Sequence, residues 1–153
     1  IPGGKGGTKE YGVHVPLLIT WPNSIAAGSV NESLIDFPDI MATFAEMTLS
    51  DMTSYGELDG VSFYRQITNR TYTPRSYSYD YFLPRTNAGN NSLRPWVQDT
   101  AYKLYHTSGK FFHFSADPYE TFNIPKTEMT AEEKIIYNRF KRILGLYPDY
   151  PTP

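Results

Sequence analysis

A nearly continuous apolar run, Val13–Trp21, stands close to the start of the chain and limits the available folds more than any other feature. Read as secondary structure, it is a strand covered on both faces and closed by Pro22 and Asn23. Such a strand needs sheet neighbours on either side. The few residues before it cannot supply them, so its sheet is expected to lie mostly outside this chain. The opening Ile1-Pro2-Gly3-Gly4 carries no initiating Met and no signal-like segment, and reads as a cut within a longer protein.

The next stretch has the same incompleteness. Leu34-Ile35 reads as a short strand leading into Asp36, a good helix N-cap, with Pro38 tolerated in the first turn. Phe37, Ile40, Met41, Phe44 and Met47 then share one face of a helix, a face that must pack against something larger. A polar loop covers residues 48–60, and a short helical turn is expected over Val61–Ile67.

Beyond residue 70 the pattern changes period. Tyr77, Tyr79 and Tyr81 alternate with Ser76, Ser78 and Asp80, which predicts a strand over Ser76–Phe82. Arg94–Asp99, Tyr102–Thr107 and Lys110–Phe114 read as further strands, with Ser108-Gly109 as a two-residue hairpin turn between the last two. Thr130-Ala131-Glu132-Glu133 is a capping box that opens a helix. Its Ile136, Phe140, Ile143, Leu144 and Tyr147 share a face, and Gly145 and Pro148 mark its end. The expected fold class is α+β: residues 71–153 form a small antiparallel sheet of about four strands with a C-terminal helix. Residues 1–70 contribute a strand and a helix torn from a larger domain.

Composition narrows the function. The 153 residues are 40% hydrophobic and 20% charged, so the chain is globular rather than disordered. A formal net charge of −2 argues against nucleic acid as a partner. No apolar run approaches the roughly 20 residues of a membrane helix. Cysteine is absent, which removes disulfides, thiolate metal sites and a cysteine nucleophile. The 13 Tyr, 9 Phe and 2 Trp suit half-buried sheet faces and sugar-binding clefts equally well. Sequons begin at Asn31, Asn69 and Asn90.

Few residues are arranged for chemistry. His14, His106 and His113 have no partner at metal-ligand spacing, although a hairpin would carry the last two on its opposite arms. Asp117, Glu120 and Glu132-Glu133 are explained by turns and a helix cap. No GxSxG elbow, HExxH or phosphate loop is present. The remaining candidate is Lys5, an ammonium among Gly3, Gly4, Gly6 and Gly7, with little bulk around it to keep an oxyanion away.

Lys5-Gly6-Gly7-Thr8-Lys9-Glu10-Tyr11-Gly12-Val13-His14-Val15-Pro16 resembles the K-G-x-T-x-E-x-G-(I/V)-R-x-P segment of the sulfatases, in the alkaline-phosphatase-like superfamily. Ile25–Gly28 with Ser33–Phe44 is similar to a second family segment, Leu58–Ser62 to its L-D-G-x-S, and Tyr102–Leu104 with Phe112–Ile124 to its Y-K-L and D-P-x-E-x-x-N-L. The matches are in family order and span nearly the whole chain. The chain departs from the pattern with His14 for the usual Arg, Asp39 where a Thr often stands, and Phe112–Ser115 for Tyr-Asp-Leu.

The resemblance implies the C-terminal part of a formylglycine-dependent sulfatase. Residues 1–70 would end the large α/β catalytic domain, and residues 71–153 would form the small C-terminal subdomain. In the family, the hydrate of formylglycine attacks sulfur and a calcium ion polarises the sulfate. Both belong to segments N-terminal to this one, so this chain is expected to hold neither catalytic nor metal-binding residues and to be inactive alone. Lys5 matches the lysine that contacts the substrate's sulfate. An ammonium about 4 Å from an oxyanion contributes about 4 kcal/mol at an effective dielectric near 20. The implied partner is a sulfated small molecule or glycan, and the implied location is secreted or periplasmic. The Arg85–Arg94 loop is a candidate for substrate selection. Alternatives are a phosphodiesterase or phosphonate hydrolase of the same superfamily, or a non-catalytic glycan-binding or oligomerisation module. Unpartnered apolar faces also predict self-association.

Overall fold

The computed structural model describes residue 4, residues 6–82 and residues 94–147. In chain order the elements are α1 (Glu10–Val13), α2 (Pro38–Thr48), α3 (Tyr64–Ile67), β1 (Ser78–Phe82), β2 (Arg94–Gln98), β3 (Tyr102–Tyr105), β4 (Phe111–His113) and α4 (Ala131–Leu146). By internal contacts the chain divides into two units, Ile1–Pro16 with Tyr77–Pro153, and Leu17–Ser76.

In the first unit the four strands form one antiparallel sheet in sequential order. This is the small α+β unit expected from the period-two pattern. Alternation along the strands creates two faces. Val97, Leu104 and Phe111 point to one side and meet Phe140, Ile143 and Leu144 of α4, with Met129 beside them. Burying each of these large side chains contributes roughly 1.5–3 kcal/mol. The other side carries Trp96, Lys103, Tyr105, Phe112 and Phe114.

The helix start follows the capping-box expectation. Glu133 N–H donates to Thr130 Oγ1 (3.2 Å), and Thr130 N–H donates to Glu133 Oε2 (2.8 Å). The hairpin differs from expectation: β3 and β4 are joined by five residues, 106–110, rather than a two-residue turn. Gly109 N–H donates to Tyr105 O (3.0 Å), and Tyr105 N–H to Lys110 O (3.0 Å). Gly109, at φ 65°, supplies the left-handed step that this wider loop needs.

The second unit is built around one buried carboxylate. Asp39, in the first turn of α2, is 1% exposed and pairs with Arg75 through both oxygens; Arg75 Nε lies 3.0 Å from Oδ2, and Nη2 reaches Oδ1. The same carboxylate accepts Asp36 N–H (2.8 Å) and Val61 N–H (2.7 Å). Thr43, one turn on, accepts Phe63 N–H (3.0 Å). Gly60 is pressed against the helix start, where a Cβ would sit 2.1 Å from Pro38 O. The departure at Asp39 thus acquires a role: it clasps the Leu58–Ser62 segment to α2.

The apolar surface of this unit is less complete. Met41 and Phe44 of α2, and Phe37 just before it, are all more than half exposed. Val13–Trp21, predicted as a buried strand, pairs with no strand among the described residues, and neither does Leu34-Ile35. Val15, Leu17, Leu18 and Ile19 are exposed. A run of this kind becomes a strand only when a neighbouring strand satisfies its backbone. Part of it, with α2 and α3, lines an apolar cleft of about 150 Å³ among Leu17, Ile19, Trp21, Ile40, Phe44 and Met47.

Candidate functional site

The glycine-rich segment belongs to the sheet unit. Lys5 itself lies outside the described residues. Gly7 N–H donates to Gly4 O (2.8 Å), closing the loop that brackets Lys5. The loop folds onto α1, so closely that a Cβ on Gly12 would lie 2.7 Å from Gly4 O and 2.8 Å from Gly7 O. Only glycine at position 12 permits that approach.

The residues after the loop are held by the second face of the sheet. Lys103 is fully buried, and its Nζ donates to Thr8 O (2.9 Å) and Glu120 Oε1 (2.9 Å). Its ammonium also faces the rings of Trp96, Tyr105 and Phe114, at 5.4, 5.7 and 5.8 Å from their centroids. Glu120 Oε1 accepts Glu10 N–H (2.8 Å). The Tyr105 hydroxyl lies 2.6 Å from Glu120 Oε2 and 2.9 Å from Thr8 O. Burial, and then the bond to Glu120, push the Tyr105 phenol above the usual tyrosine range, so it stays a hydrogen-bond donor. Lys9 adds an outer strap, with Nζ donating to Tyr119 O (2.9 Å).

Desolvating two charges is expensive, and a buried pair persists only where further hydrogen bonds satisfy both partners. This pair meets that condition. Asp117 prepares it: Oδ2 accepts Thr121 N–H (2.6 Å) and Phe122 N–H (2.8 Å), forming a turn that sends Glu120 inward at φ 47°. Asn123 Oδ1 and Ile124 N–H then bond the Phe111 backbone at 3.0 and 2.8 Å, docking the turn to β4. The turn role read for Asp117 holds, whereas Glu120 does more than shape a turn. Lys103 was visible only as the middle of Tyr-Lys-Leu, and its partner could not be read from sequence because 17 residues separate them.

The other candidates disperse. His14 Nδ1 lies 2.7 Å from Glu10 Oε1, one helical turn back, so an ion pair is available at the position that departs from the family's Arg. His113 stacks on Tyr102 (4.3 Å) at the end of the hairpin away from the loop that carries His106. Glu133 serves the α4 cap. The Arg85–Arg94 loop lies outside the described residues except for Arg94. Among the described residues no group of His, Cys, Asp or Glu could hold a metal ion, and no helix is long and apolar enough to cross a membrane.

Comparison with known proteins says where a glycine-rich segment clamped to a small sheet in this way occurs. Residues 7–144 match the family model described as N-sulphoglucosamine sulphohydrolase, C-terminal. An ulvan-active sulfatase of Formosa agariphila is 30% identical over 104 residues, covering 65% of this chain and 20% of the relative. The chain therefore corresponds to about a fifth of that relative's length. Two solved structures share the fold. One, determined in complex with its substrate D-glucosamine-2-N,6-O-disulfate, has a TM-score of 0.57 and 18% identity, covering 74% of this chain and 24% of the other. The second, a candidate sulfatase of Bacteroides thetaiotaomicron, has a TM-score of 0.51 and 16% identity, covering 71% and 23%. The clamped glycine loop, the four-stranded sheet with its capped helix, and a family match over 7–144 lead to one assignment: this chain belongs to the C-terminal family of the sulfatases.

Proposed function

We propose that the protein carrying this chain hydrolyses sulfate esters of a sugar, and that Lys5 grips the sulfate. The observation that carries this reading is the anchorage around Lys5: Gly4 and Gly7 are seated on Gly12, and Thr8 and Glu10 are bonded to Lys103 and Glu120. An ammonium stabilises a sulfate oxyanion most when its backbone is set in place before the substrate arrives. The names of the relatives, one ulvan-active and one bound to a disulfated glucosamine, favour a sugar over an aryl ester.

The described residues offer no ligand set for calcium. The calcium and formylglycine implied by the resemblance are assigned to the part of the protein upstream of this chain. This chain alone is inactive in the proposed reading, and the whole protein is secreted or periplasmic. The exposed apolar faces of Val15–Ile19 and α2 would cause the isolated chain to self-associate.

The test is sulfate release by the whole protein from N- and O-sulfated glucosamine and from ulvan fragments, with bis-p-nitrophenyl phosphate as the phosphodiester control. Sulfate release lost in Lys5→Ala is the expected result. Cleavage of the phosphodiester alone would replace the reading with the phosphodiesterase one. Glycan binding by residues 1–153 without turnover by the whole protein would replace it with the binding-module one. Light scattering on the isolated chain checks the association, and a monodisperse monomer would remove that part.

A further inference from the structure

We infer that Lys103, Tyr105 and Glu120 are positioning residues for Lys5, a role that rests on the sulfate-gripping assignment of that lysine. Lys103 and Tyr105 converge on one carbonyl, Thr8 O, at 2.9 Å each, and Glu120 takes the amide two residues on, at 2.8 Å. Thr8 follows Lys5 by three residues, and a chain of that length spans at most about 11 Å. On the other side of the lysine, Gly4 is packed on Gly12, and the Tyr11 ring occupies the place a Cβ on Gly4 would take. The Gly4 end is thus packed within its own segment, and the Thr8 end is tied to the sheet unit.

The composition of the clamp points to positioning rather than to general stability. The hydrophobic core of the unit lies on the opposite face of the sheet, where Val97, Leu104 and Phe111 meet α4. An apolar residue at 103 would have completed the aromatic surface of Trp96, Phe112 and Phe114 without desolvating a charge. The ammonium instead reaches a backbone carbonyl in a segment 95 residues away in sequence. Three polar groups so aimed specify where the Thr8–Glu10 backbone lies, which apolar packing alone defines less sharply. A misplacement of about 1 Å at a reacting centre can cost about a hundredfold in rate, so small displacements of Thr8 matter.

The experiment is a mutant cycle in the whole protein, read as sulfate release from N- and O-sulfated glucosamine. Tyr105→Phe and Glu120→Gln remove one hydroxyl or one charge while keeping the side-chain size, and each is combined with Lys5→Ala. Lys5→Ala alone is expected to lower kcat/KM by about a hundredfold or more. Tyr105→Phe is expected to lower it roughly tenfold, mainly in kcat, and to change it less than about threefold once Lys5 is gone. If Lys5→Ala falls below detection, calorimetric binding of inorganic sulfate supplies the same cycle. Equal losses from Tyr105→Phe and Glu120→Gln with and without Lys5 would overturn positioning and leave the lysine's own role intact. Wild-type turnover by both variants would do the same. An unaffected Lys5→Ala enzyme would instead overturn the sulfate-gripping assignment, a result read from that single variant. Should Glu120→Gln fail to fold, the milder Tyr105→Phe carries the test.

Discussion

In the sheet unit a buried Lys103–Glu120 pair holds the backbone at Thr8 and Glu10; in the Leu17–Ser76 unit a buried Asp39–Arg75 pair holds the backbone at Asp36, Asp59 and Val61. Both pairs also hydrogen-bond main-chain groups of a distant segment, Thr8 and Glu10 for the first and Asp59 and Val61 for the second. Their surroundings differ. The first pair backs onto a sheet whose other face is closed by α4, with Val97, Leu104, Phe111 and Phe140 all fully buried. The second belongs to a helix whose Met41 and Phe44 remain exposed, as does Phe37 before it. An ion pair of this kind fixes the path of a loop, while apolar closure supplies most of the free energy. One unit has both, and the other has mainly the first.

This contrast can be broken by mutation, with hydrogen exchange at β2–β3 amides reporting on one unit and at α2 amides on the other. The largest effects are expected in both interiors. Asp39→Ala leaves Arg75 and two amides without their acceptor and should cost about 3–5 kcal/mol, seen as lost protection in α2. Phe140→Ala should cost about 3–5 kcal/mol, seen in β2–β3. Equal loss in both units from either substitution would merge them into one cooperative body. Gly60→Ala comes next. Its methyl would meet Pro38 O, so the loop must shift, at about 1–3 kcal/mol. A neutral result by thermal melting would mean that the loop is held less tightly than Asp39 and Gly60 indicate. The smallest effect is expected from Phe44→Ser, within about 0.5 kcal/mol in the isolated chain diluted until it is monomeric. A loss above about 2 kcal/mol would show that the α2 face is covered in solution and that the contrast is smaller than the exposures imply.

Much of this was legible in the sequence where the signal is local. The tyrosine alternation located β1, the Thr130 box located the start of α4, and Asp117 was read as a turn residue. The family segments were legible too, although what joins them was not. Glu120 passed for a turn residue because its partner, Lys103, lies on a different element, and Asp39 passed for a departure because Arg75 is 36 residues away. The Val13–Trp21 run forms no strand among the described residues for a related reason. Hydrophobic period reports what a segment would do beside a suitable neighbour, and among the described residues there is none.

By itself, then, the order of residues determined the local grammar of this protein: which stretches pleat, where the long helix begins, where the glycines let the backbone turn, and which family the segments resemble. Those follow from steric and hydrogen-bonding preferences that act over a few residues. Tertiary structure decided which charges lose water together, and so which carbonyl and amide of the segment after Lys5 are tied to the sheet. That choice depends on distances between side chains far apart in sequence, and on a low-dielectric setting that exists only once the sheet has formed.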